Sequence, residues 1–431
     1  MRDDLKDNVS TSIWKTLCQT LLVFFFIYEV QPIGVPDILT SRKLVFFLCA
    51  GLFIAKRNFK IRLPSNTTIS GRTVIGLFVL SIAMLGWVFF LGIVNSIGTS
   101  VNGESILSRT LLFVFFVPLI CYFMYDCFDN SEQFLKAVFF ATLLQAAIAT
   151  AQYFSDDVKH FLYNHFVLDT NFSYLSPFRA AGLGAGEALL SINLFIGMVA
   201  DAYLMIKKRR LLLYTLGYVF ILFASMLSGS TGFALGAILL VLVTLYLVFA
   251  KLSVKGVSIV VIGVLGCVAL FVIYPEFFAS IENFGIYRKI KEILEGGADN
   301  SSFVTSLMAQ EVAPISAETI IGTSIYRGYS GSGILCRSDT GYIQSYFGYG
   351  LIMAVVFYVC LYRAMLKNIS VIKSADIKYI MLFFFVAIAV VEAKEPFIHH
   401  FGLPFAFFMI AFLQQKQEQC EKHLLTGDLV K

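Results

Sequence analysis

Apolar stretches about as long as a bilayer is thick recur along this chain, and that recurrence decides its class of fold. A helix that crosses a membrane needs about 20 largely apolar residues. Such stretches lie near 13–30, 43–55, 73–94, 107–125, 134–153, 183–206, 211–228, 232–250, 256–274, 341–362, 377–393 and 397–413, about twelve spans by the length rule. In hydrocarbon every backbone N–H and C=O must be satisfied within the chain, so spans of this length are helices. Only 14% of residues are charged, against roughly 25% in a soluble domain. The expected fold is an all-α integral membrane protein, one polytopic domain over residues 1–431. The runs 43–55 and 397–413 are short, and Pro404 is expected to kink the last one. The first run, Ile13 to Tyr28, lacks a small-x-small cleavage site and is expected to stay as the first span.

Basic residues orient the bundle, because loops rich in Lys and Arg stay in the cytoplasm. With the N-terminus inside, 22 of the 33 Lys and Arg fall on the inner side, led by the cluster Lys207, Lys208, Arg209 and Arg210. Both termini are then cytoplasmic. The basic residues sit in short loops between spans, a pattern that gives no nucleic-acid surface. Of the eight Cys only Cys336 faces outward, so no disulfide framework is expected. The five His do not carry metal-site spacing, although His399 and His400 are adjacent. No metal or cofactor is expected.

Two outer loops stand out, 154–182 and 274–340. Loops beyond about 12–15 residues are usually functional or disordered. Within the longer one, residues 282–295 place Ile286, Ile290, Ile293 and Leu294 on one helical face, with Arg288, Lys289, Lys291 and Glu292 on others. An amphipathic helix is expected there, either as a lid on the bundle or lying at the membrane surface.

The polar residues at the outer ends of spans are the candidates for chemistry, since such groups cost free energy unless used or paired. Gly322 to Gly333 is a glycine-rich segment holding Tyr326, Arg327 and Tyr329. Its glycines would let backbone N–H groups approach an oxyanion, Tyr faces can stack on sugars, and Arg grips a diphosphate with two N–H groups. A flexible linker is the plainer reading. Arg337, Ser338, Asp339 and Thr340 follow, then a helix beginning Gly341-Tyr342-Ile343-Gln344. Asp339 can be a base or, with Ser338 and Thr340, part of a helix cap. Arg179 precedes a span with Gly182 three residues on and Asn193 inside it. It can bind an anion or reach for lipid headgroups, with Glu187 as a possible ionic partner. Asn193 is expected to bond between helices. Glu392, Lys394 and Glu395 gather with His399 and His400 between the last two spans, where Lys394 can pair with either Glu. The turn Ser228 to Gly232 reads as structural. Asp201, near Lys207, reads as an inner-end residue without a catalytic task.

Taken together, three motifs resemble the O-antigen polymerases and their relatives, the O-antigen ligases. They are the Arg-x-x-Gly at Arg179, the polar residue before a Tyr-apolar-Gln helix at Tyr342 and Gln344, and the Glu-x-Lys-x-Pro-Phe at Glu392. The ligases carry a His where this chain has Asp339. The resemblance implies a helical bundle similar to the GT-C lipid-sugar transferases. It also implies an enzyme of the bacterial inner membrane that joins undecaprenyl-diphosphate-linked repeat units into a surface polysaccharide. On that footing Asp339 is the base, with Glu392 as second candidate. Arg179, Arg327 and Arg337 bind the diphosphate, Lys394 assists, and Tyr326 and Tyr329 stack on sugar. The implied partners are the lipid-linked glycan, the bilayer, a chain-length regulator and a flippase. An O-antigen ligase and a lipid-linked oligosaccharide flippase are the alternatives. A transporter of that kind should place ionisable groups at mid-membrane.

Overall fold

The architecture is that of a computed structural model describing residues 2–56, 69–96, 103–168, 180–184, 187–207, 211–249, 313–330 and 333–426. In chain order its main elements are α1 (Arg2–Ile27), α2 (Ser41–Lys56), α3 (Ile69–Ser96), β1 (Gly103–Ser105), α4 (Ile106–Val114), α5 (Ile120–Met124), α6 (Ser131–Phe154), α7 (Asp156–His165), α8 (Glu187–Lys207), α9 (Leu211–Ser228), α10 (Ser230–Phe249), α11 (Ala317–Ile321), β2 (Ile325–Tyr329), β3 (Leu335–Cys336), α12 (Gly341–Tyr349), α13 (Leu351–Val371), α14 (Ala375–Glu392) and α15 (Gly402–Thr426). Among the described residues six helices are long and apolar enough to cross a membrane: Ser70–Asn95, Ile106–Cys127, Ser131–Phe154, Leu189–Lys207, Ser230–Phe249 and Leu351–Val371. Ile13–Tyr28 and Leu212–Ser228 are shorter apolar helices. This is the architecture of a helical, multi-pass membrane protein. The expected span 256–274, the helix at 282–295 and Arg179 lie outside the described residues.

The chain divides into two compact units, residues 1–48 with 128–301 and residues 49–127 with 302–431. In the first, α8 is the central helix. Its apolar window is 89% buried, against 28% for α10, whose Ile238, Val241 and Leu245 stay exposed as lipid-facing residues do. Polar groups in this unit are used for packing. Arg42 is nearly fully buried and donates to the carbonyls of Phe26 and Ile27 at 2.9 and 3.0 Å, taking up the free end of α1. Its charge is matched by Glu29 at 2.5 Å. Gln152 Oε1 accepts from the backbone N–H of Ala181 and Gly182, which holds an irregular buried segment. Asn193 does reach another helix, donating to Ile27 O at 3.4 Å. The turn after α9 is structural: Ser191 Oγ donates to Gly229 O and accepts from Gly232 N.

In the second unit, the helix Ile106–Cys127 carries a π-helical turn at Phe115–Leu119 around Pro118, whose missing N–H breaks the regular ladder. Two expectations change here. The stretch 341–362 is not one span. It breaks at Gly350, whose φ of 88° no longer fits a helix, into the short α12 and the spanning α13. A Cβ on Gly350 would sit 2.2 Å from Ile321 O, so this corner also presses on the end of α11. Pro404 does not kink the last helix. It lies in the first turn of α15, where the absent N–H has no partner to lose. Beside the helices, Gly103–Ser105, Ile325–Tyr329 and Leu335–Cys336 form a small three-stranded antiparallel sheet in the order β1-β2-β3.

Candidate functional site

The sheet and the start of α12 make the candidate site, all within the second unit. Register pairs Glu104 with Arg327 and Ser105 with Ile325, leaving Tyr326 as the extra residue of a bulge. A bulge re-aims the side chain it carries. Tyr326 turns its hydroxyl to the Glu104 carboxylate and its ring to Arg109, whose guanidinium carbon lies 3.4 Å from the ring centre. Partial burial and the bond to Glu104 raise the Tyr326 phenol above its ordinary pKa, so it stays protonated. The glycine-rich segment is thus a built strand on its Tyr326–Arg327 side. Ile325 and Cys336 pack with Ala313 and Phe347, fastening the sheet to α12, and burial raises the Cys336 thiol.

Arg109 is the residue the sequence reading missed. It lies near the start of an apolar run, inside the stretch read as a span. A lone guanidinium in such a run was the available signal. Its Nη1 donates to Gln344 Oε1 at 2.7 Å, and Gln344 Nε2 donates to Ser338 O at 2.8 Å. Arg109 is thereby tied to the residue before Asp339. Among the described residues no carboxylate lies within ion-pair distance of it. An anion brought there would meet a half-buried, pre-oriented fork.

Asp339 is exposed and faces Arg327 at 3.6 Å, the two side chains 60% and 55% accessible. A pair so open contributes little to stability and parts at small cost. Asp339 is not the cap of α12. Thr340 holds the N-cap position, no side chain makes the cap bond, and Thr340 N–H donates to Ser338 Oγ at 3.1 Å. Arg337 is exposed just before Asp339, and Tyr329 is exposed at the end of β2. Lys394 pairs with Glu395 at 3.3 Å and not with Glu392.

Glu392 is placed differently from its role as second candidate base. It is fully buried at the end of α14. One oxygen accepts from Tyr358 OH at 2.7 Å and the other from Ile398 N–H at 2.8 Å. Both oxygens already serve the fold, so an acceptor hydroxyl has no approach. His399 is also buried, stacked on Phe357 with Nε2 3.5 Å from Ser345 Oγ. Both groups are sealed from solvent. Among the described residues no cluster of His, Cys, Asp or Glu could hold a metal ion.

Asp201 lies toward the Lys207 end of its helix. It is fully buried within the span Leu189–Lys207, and neither carboxylate oxygen has a hydrogen-bond partner.

No protein-family model matches this chain, and neither a curated protein nor a solved structure is similar to it.

Proposed function

We propose that this chain is a membrane glycosyltransferase that polymerises undecaprenyl-diphosphate-linked repeat units at the outer face of the bacterial inner membrane, with both termini in the cytoplasm. One observation carries the reading. An exposed carboxylate, Asp339, is loosely paired to Arg327 on a loop that Gln344 ties to the half-buried Arg109. In the reaction the acceptor hydroxyl attacks the anomeric carbon of the donor. Its proton passes to Asp339, the new C–O bond forms, and the bond to the diphosphate oxygen breaks. Undecaprenyl diphosphate then leaves. A base at the acceptor and cations at the leaving group are what this step needs. Arg109 joins Arg327 and Arg337 as a cation for the diphosphate, with Lys394 secondary, and Arg179 is proposed to bind lipid diphosphate on its Arg-x-x-Gly motif alone. Tyr329 supplies an exposed sugar-stacking face, with Tyr326 second because Arg109 already lies over its ring. The GT-C-like bundle of about twelve spans, the chain-length regulator and the flippase partner belong to the same proposal.

One observation favours a second reading. Asp201 is an unpartnered ionisable group buried in a span, the kind of residue that marks a transport path. The surface-glycan profile of a deletion strain separates the two. A polymerase leaves single repeat units on the surface. A flippase traps the lipid-linked unit on the cytoplasmic face, and a ligase leaves the core without glycan.

A further inference from the structure

Glu392 is a group the proposed chemistry does not use, yet several elements of the second unit converge on it. Its Oε1 takes the Tyr358 hydroxyl, and that hydroxyl also meets Ser345 Oγ at 2.9 Å. Its Oε2 takes the Ile398 N–H, fixing the short 3-10 turn Phe397–His400. Gly341, the first residue of α12, lies flat on the same carboxylate. A Cβ built there would be 2.2 Å from Glu392 Oε1 and 2.8 Å from Pro396 Cα. Gly341 and Ser345 are one turn apart on α12, so they share a face. Beside them Tyr342 OH donates to Ala389 O at 2.9 Å and meets Tyr362 OH at 2.6 Å.

From these contacts we infer that Glu392 is a positioning residue that seats α12, and with it the Asp339 loop, on α13 and α14. The inference rests on the proposed function for the role of Asp339, but its geometric part stands alone. A buried carboxylate with both oxygens bonded holds position because losing a partner leaves an unpaired polar group, which is costly inside a bundle. Gln at 392 keeps an oxygen for Ile398 N–H and an amide for the Tyr358 oxygen. Ala keeps neither.

The test uses the full-length protein in proteoliposomes with two readouts. The first is alkylation of Cys336 by N-ethylmaleimide, read on its own peptide by mass spectrometry. Cys336 is buried against Phe347 of α12, so it reports whether α12 is seated, whatever the protein catalyses. Glu392→Ala should speed it by on the order of tenfold, as expected when two buried hydrogen bonds no longer oppose local opening. Tyr358→Phe should give a smaller rise, and Glu392→Gln should stay near wild type. The second readout is polymer formed from the undecaprenyl-diphosphate-linked repeat unit. Glu392→Gln should keep its rate and its pH profile, while Glu392→Ala loses turnover with little change in KM. Loss of turnover in Glu392→Gln with Cys336 still protected would make Glu392 a proton acceptor and overturn the inference. So would unchanged Cys336 labelling in Glu392→Ala. Absence of polymer from the wild type would refute the proposed function, and the Cys336 arm would still decide the positioning.

Discussion

Arg109 and Gln344 are 235 positions apart in sequence, yet the guanidinium of one donates to the amide oxygen of the other at 2.7 Å. Gln344 passes the connection to Ser338 O, so the cation and the Asp339 loop cannot be moved independently. Lys at 109 keeps the charge but gives up the planar fork and its stacking on Tyr326. Arg109→Lys should lower the polymerisation rate by roughly 10-fold to 100-fold, the scale of one charge-assisted hydrogen bond. Protein level and thermal stability should stay near wild type. A rate within twofold of wild type would take Arg109 out of the site.

Asp339→Asn should abolish the base without disturbing the helix start, because no side chain caps α12. We expect a stable, inserted protein and a rate drop of roughly 10²-fold or more. The surface glycan should shrink to single repeat units. Normal chain length from this variant would remove Asp339 from the chemistry.

Gly350→Ala tests the corner between α12 and α13. Its φ of 88° disfavours any side chain, and the new Cβ would meet Ile321 O. The cost should exceed about 1 kcal/mol, the upper end for relieving a glycine at a compatible position, and so lower the melting temperature in detergent. An unchanged melting curve would mean the corner has room that these contacts deny.

Orientation can be read from Arg337→Cys. The native Cys336 is a poor reporter of sidedness because it is buried, whereas Arg337 is exposed. In a background lacking the exposed Cys18 and Cys360, a membrane-impermeant maleimide should label position 337 from outside intact spheroplasts. Labelling only after the inner face is opened would invert the topology and put the site on the wrong side for an outer-face polymerase.

The spans were legible because hydropathy and length are properties of the sequence itself. The 26 residues of Ser70–Asn95 and the 20 of Ser230–Phe249 are long and apolar enough to leave little choice. The corner at Gly350 was harder, since a glycine inside an apolar run fits a helix until a second backbone presses on it. Glu392 and Lys394 were visible as ionisable residues at a span end. Which of them was sealed inside depended on Tyr358 and Ile398, distant or unremarkable in sequence. Nothing local marks Tyr326 and Arg327 as strand, because a five-residue strand whose partners are Gly103–Ser105 and Leu335–Cys336 has no signature of its own. Asp339 and Arg327 were both named, but their pairing came only with the fold.

The β1–β2 pairing has a consequence for biogenesis. Glu104 and Tyr326 are 222 residues apart, and a ribosome adds about 5–20 residues per second. The N-terminal strand therefore waits roughly ten seconds or more before its partner is even synthesised. Through that interval the bulge has no Tyr326, and Arg109 has neither its aromatic lid nor Gln344. The candidate site therefore stays incomplete until Gln344 has been made, and a ribosome that stalls before Tyr326 releases a fragment in which Arg109 lacks both of these partners.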